Sequence, residues 1–208
     1  EVPPAPSWTE KVSQPRYGAR SLLEFIPVRH GVRLAVRLVM PDGAEIGDRF
    51  PALLNYSPYR ETESDRLGSF GYYAERGYVV AQVDVRGTGT SEGFTTPNEY
   101  SVQEREDALD VIEWLATQEW SNSKVGMFGS SYGGFNTIQV AMMHPPALKA
   151  IVPMHATDDV FTDDIVYYDG ALQFDSIGRW PFSMIASMGV PAWPGYDPGS
   201  EEARYRVE

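Results

Sequence analysis

The spacing of hydrophobic residues changes several times along this chain, and each change marks an element. Residues 22–28 and 32–40 read as two strands joined around His30-Gly31. In the second, Val32, Leu34, Val36 and Leu38 share one face while Arg33 and Arg37 take the other, the period of a half-exposed strand. Pro41-Asp42-Gly43 is a turn. Residues 51–56 form a further strand running into Ser57-Pro58-Tyr59-Arg60, and residues 70–76 read as a short helix closed by Gly77. Residues 78–83 are continuously apolar, as strands inside parallel sheets are. Residues 101–118 give the clearest helix. Ser101 with Glu104 makes a capping box, and Val102, Ala108, Leu109, Ile112, Leu115 and Ala116 form the buried stripe. Glu104, Glu106 and Asp107 suit the positive end of the helix dipole and are expected to form a solvated face. Residues 125–128 are a short buried strand, 135–143 a helix and 148–154 another buried strand.

From residue 51 onward, then, strands and helices alternate, which means a parallel sheet with crossover helices. One junction carries chemistry. Lys124 to Gly134 reads K-V-G-M-F-G-S-S-Y-G-G, with Gly129-Ser130-Ser131-Tyr132-Gly133 as a G-x-S-x-G pattern centred on Ser131. Between a strand and a helix this pattern is a nucleophile elbow. The turn strains its central residue, so the positions two before and two after are expected to lack side chains. It lifts a serine hydroxyl above the sheet edge and aims the Tyr132 N–H, at a helix start, where an oxyanion would form. The plain alternative is a glycine-rich turn with no chemistry. A hairpin followed by parallel strands, with the elbow after the third of them, is the order of an α/β-hydrolase fold.

Composition narrows the partners. The 208 residues suffice for one domain with a sizeable core, or one domain plus part of another. A formal charge of −12 with no basic run argues against nucleic acid. No stretch approaches the ~20 apolar residues of a membrane span. Cysteine is absent, which excludes disulfides and thiolate metal sites. The chain opens at Glu1 without methionine or an apolar leader, so the expectation is a chain processed or excised from a longer one. Asp84 to Gly93 is glycine-rich but lacks the register of a phosphate-binding loop, and no cofactor is expected. It reads as a structured turn in which Asp84 and Arg86 pin neighbouring loops.

Four motifs together resemble the cocaine-esterase-like α/β-hydrolases, relatives of X-prolyl dipeptidyl peptidases and α-amino acid ester hydrolases. They are Ser57-Pro58-Tyr59-Arg60, Asp84 to Gly89 with Ser91-Glu92-Gly93, Glu119 to Gly126, and Gly129 to Gly134. The resemblance spans roughly residues 20–175. It implies hydrolysis of small esters or amides by a Ser-Asp-His triad, with a helical cap inserted in the core and a jelly-roll domain after it. By position it makes Ser131 the nucleophile, with the Tyr132 N–H and the Tyr59 hydroxyl as oxyanion donors. The loop around Tyr59 has no glycine to bring a backbone N–H close, which also favours a side-chain donor. A tyrosine merely packed beside Pro58 is the alternative. In this reading residues 1–20 are an extended, proline-rich arm, 21–155 the amino-terminal part of the core and 156–208 the start of the cap.

The triad's acid and base should follow the serine in that order. The histidines after Ser131 are His144, expected at a helix end, and His155, expected as a loop histidine that precedes every later aspartate. The acid and the histidine are therefore expected in a carboxy-terminal part of the same protein. Asp158, Asp159, Asp163 and Asp164 do not make a calcium loop, and no metal is expected. Asp164 lies where the resemblance places a carboxylate for a substrate ammonium. Two other readings stay open: a dipeptidyl peptidase or α-amino acid ester hydrolase, and a non-catalytic hydrolase-like subunit acting in binding or assembly. Assembly into a homo-oligomer is open as well.

Overall fold

The structure is a computed structural model and describes residues 13–63, 67–159, 162 and 167–190. Strands β1 (Gly18–Val28) and β2 (Val32–Asp42) form the expected hairpin, turning through a 3₁₀ turn in which His30 has φ 63°. Strands β3 (Phe50–Ser57), β4 (Val79–Asp84), β5 (Ser121–Ser130) and β6 (Leu148–Met154) run parallel, and β4 joins the hairpin antiparallel through β2. The order across the six-stranded sheet is β1-β2-β4-β3-β5-β6. Helix α1 (Leu67–Ala74) packs on β1, β2 and β4, while α2 (Val102–Thr117) and α3 (Tyr132–Ala141) pack together on the sheet. The larger apolar core lies with α2 and α3, where Tyr56, Leu54, Val83, Ile112, Leu115, Met127 and Val140 are fully buried or nearly so. A smaller cluster of Val39, Ala74 and Val80 includes a residue of α1. A two-residue hairpin, β7 (Tyr167–Tyr168) with β8 (Ala171–Leu172), precedes α4 (Phe174–Met188).

Three expectations change. β2 is not half-exposed, because Ala35 and Val39 on its second face are as buried as Leu34 and Val36. Arg37 survives there by donating to the Thr62 carbonyl from Nε and Nη2, at 2.9 and 2.7 Å. The sheet also begins earlier than the prolines indicate. Gly18 already pairs with Asp42, and the Arg16 and Tyr17 amides donate to the Glu75 carbonyl.

The third change concerns α2. Its capping box forms as expected, with the Ser101 hydroxyl accepting from the Glu104 amide at 3.1 Å. Its early acids, however, are not a solvated face. Asp107 is fully buried against Arg86, 2.7 and 2.8 Å from Nη2 and Nε, and Asp110 pairs with Arg29. Val102, by contrast, is exposed, and Val111 takes a place in the core.

β6 is the last strand of the sheet, and Ile151, Val152 and Met154 on it are exposed. No helix among the described residues is long and apolar enough to cross a membrane.

Candidate active site

Parallel pairing brings the carboxyl ends of four strands to one edge. Ser57 is level with Asp84, and Ser130 with Met154, so the loops after β3, β4, β5 and β6 gather there, as ligand sites do in open α/β sheets. At the end of β5 the chain turns sharply into α3 through Ser131, which has φ 54° and ψ −120°. That is left-handed backbone on a residue with a Cβ, costing on the order of 1–3 kcal/mol unless the surroundings hold it. They do hold it. The Ser131 amide donates to the Met154 carbonyl at 2.9 Å, and the Ser131 carbonyl accepts from Phe135 in the first turn of α3.

The glycines explain themselves in this geometry, with one revision. A Cβ on Gly129 would sit 2.5 Å from the Gly133 carbonyl carbon, and one on Gly134 would sit 2.5 Å from the Met154 carbonyl oxygen. Gly133, the expected partner glycine, is less constrained, since its Cβ would meet Asn55 Oδ1 at 3.3 Å. The close approach of helix to strand thus falls on the first and last glycines of Gly129 to Gly134.

Tyr132 opens α3, so its N–H belongs to the first-turn amides that have no intrahelical acceptor. Its phenol points the other way, into a buried polar knot, and donates to the Glu104 carboxylate at 2.8 and 3.1 Å. The Tyr56 hydroxyl donates to the Glu104 carbonyl at 3.2 Å. Burial raises the Glu104 carboxyl above its usual range, opposed by the Tyr132 hydrogen bond. Burial, and then the Glu104 charge, push the Tyr132 phenol far up, so it stays neutral. Glu104 is therefore both helix cap and anchor for the residue next to Ser131. Local spacing revealed only the first role, because its partner lies 28 residues further along the chain.

Tyr59 is half-buried on the loop after β3, with its ring edge-on to that of Tyr132 at 6.2 Å between centroids. The loop continues into a 3₁₀ turn, Glu61–Glu63, which is fastened to the core at Thr62. There the Thr62 hydroxyl and amide donate to the Asp84 carboxylate, and the Thr62 carbonyl accepts from Arg37. Asp84 and Arg86 thus pin neighbouring segments as expected. Gly89 has to be glycine because a Cβ there would overlap the Asp84 carboxylate.

Burial pushes the Asp84 carboxyl from 3.8 up to about 7, against the Thr62 hydrogen bonds. Between about pH 4 and 7 the unfolded chain has lost this proton while the folded chain keeps it, so stability falls with rising pH across that window and levels off above it. Asp84→Asn is expected to flatten that fall in denaturant titrations run across the window. An unchanged slope would assign it to other groups.

Trp180 of α4 stacks over Tyr132, 6.4 Å between ring centroids and 20° between planes. Beside Tyr132, between α4 and residues 95–99, lies a cavity of about 230 Å³ walled by Pro58, Val85, Trp180, Pro181, Met184 and Ile185, with Glu104 and Arg86 also reaching it. It adjoins Tyr132 and does not include Ser131.

His155 sits just past β6, and its Nδ1 is 2.9 Å from the hydroxyl of Ser130, the neighbour of Ser131. His144 follows the end of α3, where its amide donates to the Ala141 carbonyl. Asp158 and Asp159 are exposed, whereas Asp163 and Asp164 lie outside the described residues. Among the described residues no group of three or more histidines and acids could hold a metal ion.

Comparison with known proteins agrees with this architecture. The model of the X-Pro dipeptidyl-peptidase (S15) family matches residues 30–206. The cocaine esterase of Rhodococcus sp. (strain MB1 Bresler) is 35% identical over 160 residues, covering 75% of this chain and 27% of the esterase. A putative Xaa-Pro dipeptidyl-peptidase of Streptomyces avermitilis is 30% identical over 182 residues, covering 71% of this chain and 26% of that protein. The chain thus spans about a quarter of the length of these relatives. Among solved structures, an α-amino acid ester hydrolase superposes with a TM-score of 0.63 at 32% identity, over 84% of this chain and 32% of its own. A CocE/NonD family hydrolase from Staphylococcus aureus reaches a TM-score of 0.70 at 22% identity, over 83% of this chain and 36% of its own, which speaks to the fold. The chain belongs to the S15 X-Pro dipeptidyl-peptidase family, serine esterases and peptidases built on the α/β-hydrolase fold.

Proposed function

We propose that this chain is the amino-terminal portion of a longer serine hydrolase that cleaves ester or amide bonds through an acyl-enzyme on Ser131. The observation that carries the reading is the backbone of Ser131, held at φ 54° at the junction of β5 and α3 by neighbours that leave no room for side chains. Strain of this kind persists where the surroundings enforce it, and it is concentrated at working sites. In this mechanism Ser131 Oγ attacks the acyl carbonyl and its proton passes to a histidine outside these 208 residues. Charge on the carbonyl oxygen is received by the Tyr132 N–H and the Tyr59 hydroxyl. The alcohol or amine leaves with that proton, and water then releases the acid and restores the serine. The Tyr132 phenol takes no part, being engaged by Glu104.

In the same reading residues 21–155 are part of the hydrolase core and 156–208 begin the cap, while Asp164 is the residue assigned to a substrate ammonium. Relatives that include both esterases and a putative dipeptidyl-peptidase leave the acyl group and the leaving group to experiment.

The test is fluorophosphonate labelling of the full-length protein, with the adduct located by peptide mass spectrometry; the expected site is Ser131. No adduct at Ser131 would sink the proposal and favour a non-catalytic binding subunit. Tyr59→Phe is expected to lower turnover by ~10²–10³-fold while leaving substrate binding nearly unchanged, the usual effect of removing one oxyanion donor. If turnover is kept, the donor lies elsewhere.

Residues 1–208 alone are expected to show almost no ester turnover, since a serine hydroxyl without a base is a poor nucleophile. They should also aggregate through the exposed edge at β6. Brisk Ser131-dependent hydrolysis by that fragment would make His155 the base to examine.

A further inference from the structure

Helix α4 is poorly equipped to stand alone. Gly178 lies within it, and Pro181 near its middle has no N–H for the carbonyl one turn back. Isolated helices of this length are marginal in water even without such breaks. Phe182 and Ile185 are exposed on it, so little burial along its length compensates. Its position beside Tyr132 therefore depends on what it touches, and two attachments stand out. One is the stacking of Trp180 on Tyr132. The other is at its carboxyl end, where the Arg60 guanidinium donates from Nη1 to the Ser187 carbonyl at 3.2 Å and to the Val190 carbonyl at 2.7 Å.

The chemistry of that end calls for such a group. The final carbonyls of a helix lack intrahelical donors and form the negative pole of its dipole. α4 has no basic residue of its own in its last turn. The Ser187 carbonyl also accepts from the Val190 amide at 3.3 Å, and Arg60, 127 residues earlier than Ser187, adds charge and donors from another part of the fold.

Arg60 is also firmly rooted. Its side chain is 11% exposed and its Nε donates to the Glu63 carboxylate at 2.6 Å, with Nη2 on the second carboxylate oxygen. Its backbone sits at φ 57°, a strained setting for a residue with a Cβ. Two residues on, Thr62 is tied to Asp84 and Arg37. The residue just before it is Tyr59. A single rigid loop thus carries the proposed oxyanion donor and grips the helix that stacks on Tyr132.

We infer that Arg60 is a positioning residue that latches α4 against Tyr132, the residue next to Ser131. The link to catalysis rests on the reading of Ser131 and Tyr59 proposed above, whereas the latch itself is a property of the fold. A substrate that reaches from Ser131 into the cavity α4 walls beside Tyr132 loses part of that wall when the latch is released, and its binding weakens. Thr62 keeps its anchors in that event, so the Tyr59 loop and the chemical step are retained.

Hydrogen–deuterium exchange and ester kinetics on the full-length protein test this with Arg60→Ala and Arg60→Lys. In Arg60→Ala the amides of α4 are expected to exchange about 10- to 100-fold faster, the loss that goes with a charge-assisted hydrogen bond. Those of β3, β5 and α3 should be unchanged. KM should rise with kcat kept, the opposite of the split expected for Tyr59→Phe. Arg60→Lys, which keeps a cation but cannot hold Glu63 in a fork, should fall between.

Unchanged exchange in α4 would overturn the latch, and so would equal acceleration through β3 and β5, which would make Arg60 a general fold stabiliser. A fall in kcat at constant KM would overturn it too. Should Arg60→Ala not fold, Arg60→Lys is read against the same expectations. Should the wild-type protein hydrolyse no ester, the exchange measurement still decides the latch while the hydrolase proposal fails by itself.

Discussion

Ser131→Ala in the full-length protein is expected to lower ester or amide turnover by about 10⁶-fold, the scale seen when a triad serine is removed, and to abolish fluorophosphonate labelling. Its effect on folding should be small, because the backbone bonds to Met154 and from Phe135 do not need the hydroxyl. Ser131→Gly sharpens the point. Glycine takes φ 54° without strain, so the variant should be about 1 kcal/mol more stable than the parent while being just as inactive. Activity assays paired with denaturant titrations would show the two moving in opposite directions. If Ser131→Gly proved less stable than Ser131→Ala, the backbone strain inferred at the elbow would be wrong. If either variant kept full activity, Ser131 would not be the nucleophile.

Gly129→Ala should be strongly damaging at the elbow. Its Cβ would lie 2.5 Å from the Gly133 carbonyl carbon and 2.7 Å from the carbonyl oxygen, both backbone atoms at the start of α3. No rotamer can relieve such a contact. The strand or the helix must move, at a cost of about 3 kcal/mol or more, beyond the usual range for overpacking because the neighbour is main chain. That movement would shift Ser131, so labelling should be lost along with stability.

Gly126→Ala is the control on the same strand. There the added methyl meets the Leu53 Cδ2 end at 3.2 Å, a flexible side chain that can give way. Thermal unfolding of the two variants should therefore differ by several degrees, with Gly129→Ala the lower. Equal melting temperatures would show that the β5–α3 junction is looser than its geometry indicates.

How much of this was legible beforehand depended on the range of the interaction. Strand and helix periods, the Ser101–Glu104 cap and the elbow at Ser131 are all encoded within a few residues. Period, capping chemistry and turn strain act over that distance, so the sequence by itself determined the alternating layout, the parallel sheet and the candidate nucleophile.

The charges were another matter. Glu104, Asp107 and Asp110 resemble any acidic helix start, and only the approach of Tyr132, Arg86 and Arg29 makes them a buried network. Arg37 looked solvated because alternation records which face a residue takes and not what covers that face. Likewise, nothing near Arg60 signals that the end of α4 arrives beside it from 127 residues away. The sequence therefore decided the elements and the strained turn at Ser131, where local backbone energetics dominate. Tertiary structure alone decided which charges are desolvated and what α4 packs against, because those outcomes depend on packing between segments whose separation no local pattern records.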